Sequence, residues 1–319
     1  MMEGTVIKNT GSWYTVKLDD SADSGIIMPC KIKGNFRLKG IRTTNPVAVG
    51  DRVTVIPGQE GNGFITQISP RKNYIIRRSS NLSKEAHIIA ANVDQAILVA
   101  TLFHPTVSTT FIDRFLATAE AYGIKAIIVI NKTDLCRGDE EREEYLDAIT
   151  YLYRSIGYPV IHTSATTGEG IDELRKKLTG KISLFSGNSG VGKTTIINEL
   201  IPGLDLRTAE ISEIHDTGMH TTTFSEMFRL PGDKESYIID TPGVKGFGTV
   251  DFDPREVSHF FPEIFEIGHN CRFADCTHIH EPGCAVRKAI EDHKIALSRY
   301  NSYLSITSDD TGSKYREAY

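Results

Sequence analysis

Residues 187-GNSGVGKT-194 constrain this chain more than any other stretch of it. They fit G-x-x-x-x-G-K-[ST] and stand between an apolar strand candidate, 182-ISLFS-186, and a helical pattern over 193–200. That strand–loop–helix setting is the one in which such a loop cradles phosphate. Gly187, Gly190 and Gly192, with Asn188, Ser189 and Val191 between them, let backbone N–H groups converge on phosphate oxygens. Lys193 is placed to reach β- and γ-phosphates and the Thr194 hydroxyl to ligate Mg²⁺, and Thr195 stands with them among the expected nucleotide-binding residues.

The surrounding texture agrees. From about residue 92, Ile/Val-rich runs (93-VDQAILVAT-101, 124-IKAIIVI-130, 158-YPVIHT-163, 182–186 and 236-SYIID-240) alternate with helical patterns over 111–122, 140–155, 171–178 and 193–200. Continuous apolar strands interleaved with helices predict a parallel sheet covered on both faces. Three more loops follow strand ends, where α/β sheets bind ligands. In 131-NKTD-134 the Asp134 carboxylate matches the N1–H and exocyclic amine of guanine, which adenine lacks. Asn131 is expected at the imidazole side of the base and the Lys132 stem over its face, with Thr133 between Lys132 and Asp134. In 163-TSA-165, Ser164 and Ala165 are expected to offer N–H groups to guanine O6. In 240-DTPG-243, Asp240 is expected to hold Mg²⁺ through water and the Gly243 N–H to meet the γ-phosphate.

Both ends of the chain differ from this middle. Residues 1–70 hold five short β-type runs (4–9, 13–18, 26–32, 52–56, 63–68) broken by Gly, Asn, Pro and Asp, which predict an OB-type β-barrel. The polar, basic stretch 70–86 reads as a linker or clasp. In 31-KIKGNFRLKGIR-42, Lys31, Lys33, Arg37, Lys39 and Arg42 stand with no acid among them, and Phe36, Trp13 and Tyr14 are candidates to stack on bases. Near the other end, 271-CRFADCTHIHEPGC-284 offers three thiols and several imidazoles, a donor set suited to tetrahedral Zn²⁺. Cys271, Cys276 and Cys284 supply three ligands, and His278, His280 and His269 are candidates for the fourth. The amphipathic run 285–304 is expected to pack over the site as one helix.

The order of the motifs is unusual: NKTD, TSA, the glycine-rich loop, 220-HTTT-223, then DTPG. Ordinary small GTPases begin with the glycine-rich loop. With the β domain before and the Cys/His cluster after, the chain resembles the ribosome small-subunit-dependent GTPase A (RsgA) family of circularly permuted GTPases. The resemblance spans all but the polar tail from about 307. It implies three domains: an OB-fold RNA-binding domain over 1–70, a circularly permuted P-loop GTPase over 71–249 and a mainly helical zinc-binding domain over 250–319. It selects His278 as the fourth zinc ligand, through C-x₄-C-x-H-x₅-C. It further implies GTP hydrolysis to GDP and phosphate, stimulated by the 30S subunit during late maturation, with 16S rRNA as partner.

The permutation leaves 178-LTGK-181 as the short joint between helix and strand, and residues 244–250 lead from DTPG into the last domain. Val244 follows DTPG, where Ras-like enzymes carry the Gln that orients water, so intrinsic hydrolysis is expected to be slow. His220 is the candidate for that task, and Thr222 or Thr221 for the switch threonine on Mg²⁺ and the γ-phosphate. Two other readings compete: an RNA-binding checkpoint in which GTP signals occupancy with little turnover, and a metabolic P-loop kinase or ATPase, against which NKTD and TSA weigh.

Composition sharpens the partner. The formal net charge is −5, yet residues 1–90 carry 13 Lys+Arg against 7 Asp+Glu, and the remainder carries 23 against 34. A basic module attached to an acidic body fits selective contact with RNA rather than indiscriminate adhesion. The N-terminus lacks the apolar core of a secretory signal, and no apolar run approaches the ~20 residues of a membrane helix. Three of the five Cys crowd into 271–284, which suits a reducing compartment better than a disulfide framework. A cytoplasmic, monomeric protein without membrane contact is expected.

Overall fold

The computed structural model describes residues 1–19, 26–33, 46–58, 61–78, 86–204, 206, 226–233, 235–240 and 252–308. Alternation of apolar and polar residues builds the N-terminal barrel: in β2 (Tyr14–Leu18) Tyr14, Val16 and Leu18 point inward. Its other strands are β1 (Met2–Asn9), β3 (Ile27–Ile32), β4 (Arg52–Pro57) and β5 (Gly63–Ile68). They run in the order β1-β2-β3-β5-β4, and pairing of β1 with β4 closes the ring. Only β3 and β5 run parallel. Val6, Val53, Val55, Ile65 and Cys30 fill the interior with the inward face of β2. This is the expected OB-type closure.

The stretch expected to be a linker is more ordered than its composition suggests. β6 (Tyr74–Arg78) and β7 (Ala86–Ala91) form an antiparallel hairpin. Ile75, Ile88 and Ala90 are buried, a short apolar alternation that the flanking Arg, Lys and Ser residues obscure in the sequence. The hairpin also clasps the barrel. Arg71 donates to Asp51 from Nε and Nη2, each at 2.6 Å, and Nη2 also donates to the Pro46 carbonyl. Both side chains of this ion pair are nearly inaccessible, and Asp51 Oδ2 further accepts from the Ala48 N–H. Gly50 sits at φ +89°, and a Cβ there would lie 2.1 Å from the Ala91 carbonyl oxygen, so the close approach requires glycine.

The central sheet holds β8 (Gln95–Ala100), β9 (Lys125–Ile130), β10 (Val160–His162), β11 (Ile182–Ser186), β12 (Glu226–Arg229) and β13 (Tyr237–Asp240). Their order is β10-β9-β8-β11-β13-β12, parallel throughout except for β12. Every residue of β8, and all of β9 after Lys125, is buried, as expected for a sheet covered on both faces. Helices α1 (Thr109–Ala121), α2 (Glu140–Ser155), α3 (Ile171–Leu178) and α4 (Lys193–Leu200) alternate with the strands. Ser108 caps α1 and Asp139 caps α2; α2 carries Glu140, Glu141 and Glu143 in its first turn and Arg154 in its last, matching the helix dipole. The two sheets are one. β1 uses Met2–Thr5 to pair with β4 and, further along, Lys8 to pair with Glu226 of β12, whose carboxylate lies 3.0 Å from Lys8 Nζ.

The C-terminal region is helical: α5 (Pro262–Gly268), α6 (Ala285–Glu291) and α7 (Leu297–Ser308). The single helix expected over 285–304 is therefore two. His293 adopts φ 57° just past the end of α6, its N–H donates to the Ile290 carbonyl, and the Lys294 N–H donates to that of Ala289. This is a Schellman stop with histidine in the position glycine usually takes, which the amphipathic pattern conceals.

Replacing Asp51 by Ala leaves the Arg71 guanidinium buried without its partner. We expect a loss of about 3–5 kcal/mol of stability, read as a lower urea midpoint; an unchanged midpoint would show that the clasp contributes nothing.

Candidate functional site

The NKTD, TSA and glycine-rich loops leave the C-terminal ends of the parallel strands β9, β10 and β11, and Asp240 closes β13 at the same end, so these groups gather on one edge of the sheet. Asn131 fastens three of them together. Its Nδ2 donates to the Val191 carbonyl at 2.8 Å, and its Oδ1 accepts from Thr163 Oγ1 at 3.1 Å and from the Ala165 N–H at 3.2 Å. Gly192, at φ +86°, has Asn131 Nδ2 only 2.4 Å from where a Cβ would sit, so this glycine gives the loop both its backbone angle and its room for Asn131.

Lys132 is held in the left-handed region (φ 62°), and its ammonium donates to the His104 carbonyl at 2.6 Å and to that of Gly190 at 2.8 Å. The Thr133 N–H and hydroxyl both donate to the Thr163 carbonyl, at 3.2 Å. Asp134 Oδ1 is buried with no hydrogen-bond partner among the described residues. A carboxylate oxygen in that condition is costly unless a ligand donates to it, and guanine offers the matching N–H donors. The TSA loop differs from expectation in one respect. The Ser164 N–H donates to the Glu169 carbonyl and the Ala165 N–H to Asn131, so both groups expected to face guanine O6 already have internal partners.

On the phosphate side, Asn188, Ser189 and Gly190 are exposed, and Gly187 and Val191 flank them. Gly192 is the N-cap of α4 and makes no side-chain cap bond, so the helix opens at the phosphate loop. Lys193 pairs with Asp240, the first residue of DTPG; both side chains are mostly buried. His220, Thr221, Thr222, Gly243 and Val244 lie outside the described residues.

Cys271, Cys276, His278 and Cys284 converge, with one donor atom from each lying within 4.8 Å of all the others. His278 Nδ1 is 3.5 Å from both Cys271 Sγ and Cys284 Sγ, and those sulfurs are 3.9 Å apart. Tetrahedral zinc with Zn–S bonds of about 2.3 Å places its sulfurs about 3.8 Å apart, so the cage has the right size. His278 reaches it from a left-handed backbone (φ 62°). Burial pushes the Cys276 thiol up to about 12 and raises Cys284, while it lowers His278. A neutral imidazole is ready to ligate, and a dication would supply the charge that thiolates lack in so buried a place. The N–H groups of Ala285 and Arg287 donate to Cys271 and Cys284 sulfurs. Glu281, missed in the sequence, accepts from the Thr277 N–H and hydroxyl and from the Ile279 and His280 N–H groups, shaping the loop around His278. Neither His280 nor His269 joins the cluster.

On the barrel, Lys31 Nζ lies 4.4 Å from the centre of the Trp13 ring, and Lys33 Nζ 5.9 Å from that of Phe64. Trp13 and Phe64 are each 39% exposed. Phe64 was legible only as an outward position in the alternation of 63-GFITQI-68. Phe36, Arg37, Lys39 and Arg42 lie outside the described residues.

A phosphate loop, a guanine-matched carboxylate and a DxxG strand end on one sheet edge, with the base-reading loop first in the chain, define a permuted guanine-nucleotide-binding P-loop protein. The model described as RsgA GTPase matches residues 68–250, and that of the RsgA N-terminal domain residues 3–65. The small ribosomal subunit biogenesis GTPase RsgA of Bacteroides fragilis is 62% identical over 318 residues, covering 100% of both chains. That of Porphyromonas gingivalis is 55% identical over 321 residues, again covering 100% of both. YjeQ from Thermotoga maritima superposes with a TM-score of 0.78 at 35% identity, over 98% of this chain and 99% of that one. YloQ, described as a circularly permuted GTPase, gives 0.75 at 31% identity, over 99% and 98%. The chain belongs to the RsgA GTPase family.

Cys276→Ala is expected to reduce bound zinc from one equivalent to near zero by elemental analysis, and a zinc chelator to lower the melting temperature of the wild type. Full zinc retention by the variant would remove Cys276 from the ligand set.

Proposed function

We propose that this chain is a GTPase of small-ribosomal-subunit biogenesis, and that the sheet edge described above binds Mg²⁺–GTP and hydrolyses it to GDP and phosphate. The observation that carries this reading is the buried, unpartnered Asp134 Oδ1 in the loop that Asn131 and Lys132 tie to the glycine-rich loop. Guanine supplies its missing donors, Lys132 lies along the base and P-loop, and the remaining Nδ2 hydrogen of Asn131 faces the imidazole edge. When nucleotide enters, Lys193 exchanges Asp240 for the β/γ-phosphates, and Asp240 and Thr194 become available to the metal. Mg²⁺ neutralises charge on the phosphate oxygens when bound. Gly243 is assigned to the γ-phosphate, Thr222 to the switch contact and His220 to orienting the attacking water, because Val244 lacks any group that could.

The Cys₃His cage holds one structural Zn²⁺. The basic barrel, with Lys31 and Lys33 stacked on exposed rings and Phe36, Arg37, Lys39 and Arg42 in the same stretch, contacts 16S rRNA on the 30S subunit, whose binding accelerates hydrolysis. Among the described residues no helix is long and apolar enough to cross a membrane. We assign the protein to the cytoplasm, as a monomer.

Steady-state hydrolysis of GTP and ATP with and without purified small subunits tests the activity. Slow GTP turnover, strongly raised by the subunit, with ATP unused, is expected; equal use of ATP would sink the guanine assignment. His220→Ala should lower the stimulated rate at least 10-fold with little change in GDP affinity. Asp134→Asn should weaken GDP binding roughly 100-fold and improve binding of xanthosine diphosphate, whose C2 carbonyl suits an amide donor.

A further inference from the structure

One buried side chain in the C-terminal region has no task in the nucleotide or metal chemistry. Arg299, on α7, is 1% exposed. Its Nη1 donates to Asp113 Oδ1 at 2.9 Å, and Nε and Nη2 donate to the two Glu263 oxygens at 2.7 and 3.1 Å. The guanidinium lies 4.5 Å from the centre of the Phe261 ring. Asp113 belongs to α1 and is fully buried, and Tyr153 of α2 donates its hydroxyl to the same Oδ1 at 2.9 Å. One cation therefore joins α5 and α7 to two helices of the nucleotide domain.

Each end of this connection leads to a site. The next residues of α7 grip the metal loop: the Tyr300 hydroxyl donates to the His278 carbonyl and the Tyr303 hydroxyl to the Thr277 carbonyl, both at 2.7 Å. Ala117 of α1 packs into the same apolar cluster as Cys284, Val286, Ile295 and Tyr303. In the other direction, α1 is entered from the turn 101–108, whose His104 carbonyl shares the Lys132 ammonium with Gly190 of the phosphate loop. Pro105 of that turn lies 3.5 Å from where a Cβ on Gly190 would stand. Helix α2 follows directly from NKTD through the 3-10 turn Thr133–Cys136.

A buried cation between two carboxylates is a poor device for stability alone, since well-packed apolar residues of like volume often do as well or better. What it supplies is a fixed register between the elements it joins. We propose that Arg299 is a positioning residue for guanine-nucleotide binding: by tying α7 to Asp113 it couples occupancy of the Cys₃His metal site to the affinity of the nucleotide loops. This rests on the nucleotide and zinc assignments made above. Burial raises the Asp113 carboxyl against the pull of Arg299, so the charge on α1 depends on the arginine that α7 brings.

Coupling of this kind is reciprocal: if zinc tightens GDP, GDP tightens zinc by the same factor. The test uses the full chain, a fluorescent GDP analogue, and a zinc-selective chelator in excess Mg²⁺. Stripping zinc from the wild type should weaken GDP binding about 5- to 10-fold, and saturating GDP should strengthen zinc retention by an equal factor. Arg299→Met, which keeps the volume and removes the charge, should retain one zinc and bind GDP, but its factor should fall toward one in both directions. Arg299→Lys should restore part of it. Asp113→Asn, which keeps the shape and the Tyr153 contact, gives the same readout should the methionine variant fail to fold. A wild-type factor of one, or an undiminished factor in the variants, overturns the proposal. Failure of the zinc-loaded wild type to bind GDP sinks the nucleotide assignment, and the proposal with it.

Discussion

The carboxamide of Asn131 holds the nucleotide edge together. Through one side chain the phosphate loop, the TSA loop and NKTD share a common reference point, and the glycine at 192 exists in part to let that side chain in. The strands beneath are mostly buried, but strands alone set loop origins, not loop ends. With Asn131 in place the loops are preorganised before any ligand arrives, while Asp134 Oδ1 is left buried with no partner among the described residues. An interaction that tethers three loops also limits how far each can move independently.

The phosphate side follows a different logic. There the ligand-binding groups satisfy one another: Lys193 rests on Asp240, so neither charge is left alone in a partly buried place. In the proposed reading, nucleotide binding is an exchange of partners rather than the filling of a prepared cavity. The two halves of the site thus differ in kind, one a fixed template with an open valence and the other an internally neutralised pair.

Much of this was legible in the sequence, and the reasons for the exceptions are physical. The glycine-rich loop and NKTD were readable as strand-end loops because each is a contiguous run whose signature depends on local spacing, while DTPG beyond Asp240 lies outside the described residues. The barrel strands and the helices α1 to α4 were readable from period alone. The β6–β7 hairpin escaped because its buried apolar positions, Ile75 on one strand and Ile88, Ala90 and Ala91 on the other, are few and lie among charges. The break between α6 and α7 escaped because His293, not glycine, takes the left-handed stop. Arg299 looked like any surface cation in an amphipathic run. Its partner Asp113 lies 186 positions away, and no local pattern announces a buried pair at that separation. Glu281, likewise, gains its role only once the metal loop has folded around it.

The joining of the barrel to the central sheet has a consequence for how this chain coexists with others. A strand at the margin of a sheet exposes unpaired backbone groups and invites a foreign strand to add on. Here the barrel closes on itself, β12 is met by the same strand that closes it, and among the described residues the other margin of this eleven-stranded sheet is β10, only three residues long. Even there Arg154 occupies the Val160 carbonyl. The described strands of this sheet therefore offer almost no template for intermolecular pairing.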